Sequence, residues 1–338
     1  MEKRKLQRTG GASLTVTLPK KWIDDQQLQY GQQVAMHSQG SGTLLLKPVS
    51  ERGQSSQTIL QMKNLTPDMI MRKAIALFIS GVNEITFLFP GLTKAQRSHI
   101  RSIIDRLIGF EIVEESSGTV VIRNILDITK LPIPDMVDKM FLLARSMIAD
   151  AIEAALQKDI DSAQDIISRD RDIDKLYLVI NRQFHSILED RITEEDVGID
   201  RLGISYYHTV ALQLERIADH AVKIATAVTQ DDSMKPTTAK ALTVSTKQIL
   251  QILDDAQNII HAVSHKLAHI LLDQNDHVED NLIRMRQKHQ QYSMLGITML
   301  DSLDRTRGYL MNIAEATINY STYTAEKDMG TTLKIHLV

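Results

Sequence analysis

Two pairs of acids, Asp170 with Asp174 and Glu215 with Asp219, stand at i,i+4 spacing in the second half of this chain. On an α-helix, residues four apart share a face, one turn above the other. Carboxylates stacked in this way repel by about 0.2–0.5 kcal/mol per pair unless something positive lies between them. Hard oxygen donors suit Mg, Ca or Mn, and carboxylates joined by an imidazole suit iron or zinc. The apolar stripe around the second pair is Leu214, Ile217, Ala218, Ala221 and Ala225. At ~100° per residue, Glu215 and Asp219 fall to one side of it, in line with His208. The same spacing also describes a solvated acidic face bridged by Arg171, Arg216 and Lys223, and a histidine so placed is more often an ordinary surface or core residue than a ligand. Neither pair comes with a nucleophile or a cationic substrate pocket, so the chain does not read as an enzyme.

A second chemistry is written at the start of the chain. The first twenty-one residues hold six cations, Lys3, Arg4, Lys5, Arg8, Lys20 and Lys21, against Glu2 alone, whereas the whole chain carries −3. A cationic head on an acidic body implies two separate tasks, because a basic patch attracts polyanions. Double-stranded DNA is the polyanion expected, since each neutralised phosphate releases counterions and adds sequence-independent affinity. Aromatic residues make up 4% of the chain, which argues against a stacking platform for single strands.

The composition narrows the remaining classes. With 338 residues, two or three domains with sizeable cores are expected, and 43% hydrophobic with 24% charged residues is ordinary for a soluble globular protein. Zero cysteines exclude disulfides, thiolate metal sites and cysteine nucleophiles. No apolar run follows the basic N-terminus and no window is long enough to span a bilayer, so a cytoplasmic protein without a membrane span is expected.

The elements that must position these residues follow from periodicity. Leu14, Val16 and Leu18 alternate with Ser13, Thr15 and Thr17, which predicts a strand stopped by Pro19. A short helix over Lys20–Leu28 follows, then strands at Gln33–His37 and Thr43–Val49 around turns at Gly31 and Gly40-Ser41-Gly42. A head of 1–49 buries little alone, and dimerisation is the usual remedy. Ser50–Gln57 reads as a linker. Over 58–127 a small α/β domain is expected. Its helices fall at Pro67–Ser80 and Thr93–Ile108, capped by Thr66 and Thr93, and its strands at Asn83–Phe89, Phe110–Glu115 and Thr119–Ile125. No glycine-rich phosphate loop or catalytic constellation lies in it, and packing or spacing is its simplest role.

Pro132 and Pro134 mark the next boundary, beyond which the pattern is helical throughout. Loops are expected near Lys158-Asp159, Arg191–Gly203, Asp231–Pro236 and Asp273–Asp276, the punctuation of long antiparallel helices. Leu214-Glu215-Arg216 leading to Ile224-Ala225 recurs as Leu303-Asp304-Arg305 leading to Ile313-Ala314. Two related three-helix units, over 133–230 and 237–325, account for this repeat.

The run Arg4-Lys5-Leu6-Gln7-Arg8-Thr9-Gly10-Gly11, followed by Val16-Thr17-Leu18-Pro19-Lys20-Lys21-Trp22, resembles the AbrB/SpoVT/MazE swapped-hairpin family. It is most similar to the version fused to PhoU domains in archaeal phosphate-uptake regulators. Leu214-Glu215-Arg216-Ile217-Ala218-Asp219-His220-Ala221 resembles the PhoU signature, and 135–325 look like two tandem PhoU repeats. The resemblance implies a multidomain α+β protein: a dimeric swapped-hairpin β-barrel, a small α/β middle domain and C-terminal all-α tandem three-helix bundles. It implies DNA contacts on Arg4, Arg8, Lys20 and Lys21, with Lys3 and Lys5 as weaker candidates. It also implies metal ions (Fe, Zn, Mn or Mg) at Asp170, Asp174, Glu215 and Asp219. In the second repeat, Asp276, Asp280 and Asp304 would be the counterparts. There Gly308 replaces the second acid and Arg307 adds positive charge, so a weakened or absent site is expected.

The function implied is phosphate-responsive control of phosphate uptake. It would act by transcriptional regulation at DNA as a homodimer or higher homo-oligomer, with phosphate transporter components or their regulator as partners. In the rival reading the chain is a negative regulator that contacts a phosphate ABC transporter directly, and its head serves only to dimerise it.

Overall fold

The computed structural model describes residues 3–11, 13–38, 42–49, 56–230, 234–287 and 292–329. They fall into two compact units, Met1–Ser55 and Ser56–Val338.

The first unit is made of two hairpins and a short helix. β1 (Gln7–Thr9) pairs antiparallel with β2 (Ser13–Thr15), Arg8 opposite Leu14. Gly10 turns the chain between them at φ 68°, a conformation that glycine adopts without strain. The expected strand through Leu18 is shorter than its alternation suggests, because beyond Thr15 no described strand of the same chain runs beside it. α1 (Lys20–Asp25) stops before Leu28, where Gln27 takes a left-handed φ of 54°. β3 (Val34–Ser38) pairs with β4 (Leu44–Pro48). Gly40 and Ser41 of the expected turn lie outside the described residues, as does Ser50–Ser55 of the expected linker.

The second unit opens with an α/β layer. β5 (Gln57–Gln61), which the sequence reading did not resolve, begins where the linker was expected to end. α2 (Pro67–Ile79) carries the chain to β6 (Glu84–Leu88), parallel to β5. α3 (Lys94–Ile104) leads to β7 (Phe110–Glu115) and β8 (Thr119–Asn124), giving the sheet order β5-β6-β8-β7. Thr66 and Thr93 cap the two helices as expected: Thr66 accepts a hydrogen bond from the Met69 amide, and Thr93 forms a capping box with Gln96.

Six long helices follow: α4 (Ile133–Gln157), α5 (Ile160–Leu188), α7 (Arg201–Val228), α8 (Pro236–Ala262), α9 (His265–Arg286) and α10 (Met294–Met329). A single turn of helix, α6 (Glu194–Val197), sits within the loop expected at Arg191–Gly203. α4, α5 and α7 make one three-helix unit and α8, α9 and α10 the other, with α7 packed on α4, α5 and α10. Leu214, Ile217, Ala218, Ala221 and Ala225 are all buried, as their period requires.

One boundary is corrected. Asp273–Asp276 is not a loop but the middle of α9, because the chain turns earlier. Val263 ends α8 in a left-handed conformation, φ 44°, and the Ser264 hydroxyl caps α9 by accepting from the Leu267 amide. Asp231–Ser233 of the preceding expected loop lie outside the described residues.

Candidate metal centre and nucleic-acid interface

α5 and α7 bring Asp170, Asp174, Glu215 and Asp219 within electrostatic reach of one another. Burial comes first in pushing the Glu215 carboxyl up to about 7, and the negative charges of Asp219, Asp174 and Asp170 add to it. Burial likewise leads in raising Asp170 to about 6, reinforced by Asp174 and Asp219 and opposed by Arg106. Asp174 is raised by burial and held back by Arg106, whose guanidinium lies 3.8 Å from its carboxylate. The Asp170 Oδ1 atom is buried with no hydrogen-bond partner. These half-buried carboxylates therefore carry more negative charge than the protein around them compensates. Among the described residues, no three histidine, aspartate or glutamate side chains converge on one point suited to an ion.

His208 is not part of this group. Two helical turns from Glu215, or ~10 Å along the axis, its ring stacks on Phe184 with centroids 4.2 Å apart. Burial, then the nearby His185, keeps its pKa below the ordinary value, and its Nε2 finds no partner.

The second unit places its acids differently from the register expected. Asp276 and Asp280 point away from Asp304: both are exposed, and Asp280 pairs with Arg284 at 4.0 Å on its own helix. The α9 residues that reach toward α10 are Asn275 and Glu279, one position earlier, because the apolar positions Leu271, Val278 and Leu282 set the rotation of α9. Arg307 donates to Asn275 Oδ1 at 3.1 Å and to Glu279 Oε2 and Asp304 Oδ1 at 3.2 Å each. Arg286 closes the other side, 2.9 Å from Asp304 and 3.0 Å from Asp301. Two guanidiniums thus neutralise the acids of the second unit.

In the head, all six expected cations, Lys3, Arg4, Lys5, Arg8, Lys20 and Lys21, are exposed. Arg4 donates to the Thr17 hydroxyl at 3.0 Å. None of the head's described residues is buried, and Leu6, Leu14, Met36 and Leu44 are each more than half exposed.

Sequence reasoning missed the arginines that tie the layers together. Arg182 of α5, 2% exposed, donates to the Phe78 carbonyl, to the Val82 carbonyl at 3.0 Å and to Asn83 Oδ1 at 2.7 Å. Its guanidinium lies 4.8 Å from the Phe78 ring centroid. Burial, with Arg191 nearby, lowers its pKa to about 10. The available signal was a charged residue two positions after the apolar run Leu178-Val179-Ile180.

Comparison with known proteins fits this division. Residues 137–228 match the PhoU domain model. The chain carries a PhoU domain. Residues 7–54, ahead of it, match the model of MazE, a bacterial antitoxin that recognises its toxin. No curated protein matches the chain in sequence. The solved phosphate transport system regulatory protein PhoU from Streptococcus pneumoniae is similar over 60% of this chain and 96% of its own, at 18% identity and a TM-score of 0.43. PhoU from Pseudomonas aeruginosa is similar over 59% and 96%, at 14% identity and 0.37. No described helix beside or within the PhoU domain is long and apolar enough to cross a membrane.

Proposed function

We propose that this protein is a PhoU-type regulator of phosphate transport that acts at double-stranded DNA through a dimeric head. The carrying observation is the head itself: its described residues include no buried side chain, yet it displays both an apolar set and six cations. A strand unit with that much exposed Leu and Met reaches stability by burying those side chains against another copy. Pairing two heads also doubles the cationic surface, which suits a duplex. The reading is of a regulator and not of an enzyme.

Fluorescence anisotropy on duplex DNA at several salt concentrations tests it, with the oligomer measured by sedimentation. The expected result is a dimer whose DNA affinity falls steeply with salt, and an Arg8→Ala/Lys20→Ala variant with weaker binding and a flatter salt slope. A folded dimer that ignores DNA at low ionic strength would leave the head as a dimerisation device, and direct contact with the transporter as the function.

The acidic cluster of the first unit fits a divalent cation by its chemistry: hard oxygen donors, uncompensated charge and an orphaned Asp170 Oδ1. Asp170, Asp174, Glu215 and Asp219 would hold such an ion, Fe, Zn, Mn or Mg, once their side chains closed on it. When bound, the ion would supply positive charge to the cluster. Elemental analysis of the parent and of Glu215→Gln/Asp219→Asn tests this, with lower metal content expected in the variant.

A further inference from the structure

The groove where α7 of the first bundle unit meets α9 and α10 of the second lies outside the acidic cluster and outside the head, and nothing above gives it a role. It encloses about 640 Å³, within the range of small-molecule sites. Arg286 and Arg307, already paired with Asp301, Asp304 and Glu279, form one wall. Arg305 lines the same space and forms no ion pair among the described residues. Lys223 of α7, also without an ion pair among them, stands beside the lining, its Nζ 3.5 Å from His220 Nε2. Arg216, outside the lining, has its guanidinium 5.8 Å from the ring centroid of the lining residue Tyr309.

The floor is polar but uncharged. His220 is 8% exposed, and its Nδ1 lies 3.2 Å from the Ser302 hydroxyl. Burial first, then Lys223 and Arg305, hold the imidazole at about 4, so it is neutral near pH 7. Asn312 adds an amide to the lining and Tyr309 an aromatic face. Gly308 keeps the space open: a Cβ built there meets nothing within 4 Å. The repeat aligns Gly308 with Asp219, so a carboxylate of the first unit is missing from the groove of the second.

We propose that this groove binds a small polyphosphate anion, free or as part of a nucleotide. A single carboxylate or sulfate would meet one cation and leave the others unanswered. An extended anion of several charges can engage Arg305 in the groove and extend to Lys223 and Arg216 beside it, guanidinium forks and an ammonium matching phosphate oxygens. The volume also exceeds what one inorganic phosphate fills.

The test is calorimetric titration of the full-length protein, in a metal chelator, with tripolyphosphate, ADP, inorganic phosphate and sulfate. Saturable binding of tripolyphosphate or ADP is expected, with phosphate and sulfate at least ~tenfold weaker. Arg305→Gln/Lys223→Gln should weaken it ~tenfold or more, the loss of one or two charge-assisted hydrogen bonds. Gly308→Asp should do the same with an unchanged melting temperature, since it adds charge to open space and improves helix propensity. ADP tighter than tripolyphosphate assigns a nucleotide, and the reverse a free chain; both support the site. No saturable binding at millimolar concentration, phosphate binding as tightly as tripolyphosphate, or both variants binding like the parent would overturn it. DNA binding by the head does not enter any of these outcomes.

Discussion

The two bundle units repeat one helical pattern and reach opposite electrostatic states. Leu214, Ile217, Ala218 and Ala221 are buried in one, and Leu303, Leu310, Ile313 and Ala314 in the other. The polar positions beside these stripes have diverged. Glu215 lies within electrostatic reach of three other acids, of which Asp174 pairs with Arg106, whereas Asp304, its counterpart, sits between Arg286 and Arg307. Packing constrains the apolar positions at every turn, because a changed volume in a close-packed core is felt at once. The polar positions beside the core are freer to change, so a repeat can keep its architecture while the charges around it differ between copies.

The comparison breaks most completely where the first unit meets the α/β layer. Arg182→Ala would leave the Phe78 and Val82 carbonyls without their charged donor and open a cavity beside Phe78. A loss of about 3 kcal/mol is expected in denaturant unfolding. A loss below ~1 kcal/mol would mean that α2 and α5 hold together without it. In the second unit, Arg307→Ala would strand Asp304 and Glu279 side by side and cost about 2 kcal/mol at pH 8. The deficit should shrink as salt is added and the repulsion between the two carboxylates is screened. A deficit independent of salt would show that Arg307 acts by packing alone.

Much of this contrast was legible in the chain itself, and the reasons differ by element. The i,i+4 acids and the apolar stripe of α7 follow from helix periodicity, and Thr66 and Thr93 from capping chemistry, all of them local properties. The register of α9 was not local. Its rotation depends on which face Leu271, Val278 and Leu282 bury, so Asn275 and Glu279 displaced Asp276 and Asp280. Arg106, Arg182 and Arg286 find their partners far along the chain or on another element. No spacing rule anticipates such pairs.

Glu215→Gln sharpens the comparison from the acidic side. A carboxyl raised from 4.5 to about 7 keeps its proton longer in the folded than in the unfolded chain. Stability therefore falls as pH rises from 4.5 through 7, where the unfolded chain has already released that proton. In a chelator, the neutral variant should be more stable than the parent by about 1–2 kcal/mol at pH 8 and equal to it below pH 4.5. With Mn added, the sign should reverse, because the parent gains binding energy that the variant lacks. The same stabilisation with and without metal would remove the cation from the account.

Arg106→Ala gives the smallest and most discriminating effect. Its pair with Asp174 is long, 3.8 Å, and partly exposed on both sides, so the loss in a chelator should be ~0.5 kcal/mol or less. Yet Arg106 lowers the pKa of both Asp170 and Asp174. Without it the cluster is more electronegative and no longer shares a carboxylate with a guanidinium. Metal affinity should then rise about threefold to tenfold in equilibrium dialysis, while stability in the chelator barely moves. A weaker ion in this variant would show that Arg106 helps to shape the site, and the first unit would then resemble the second, with acids ordered by an arginine instead of awaiting a cation.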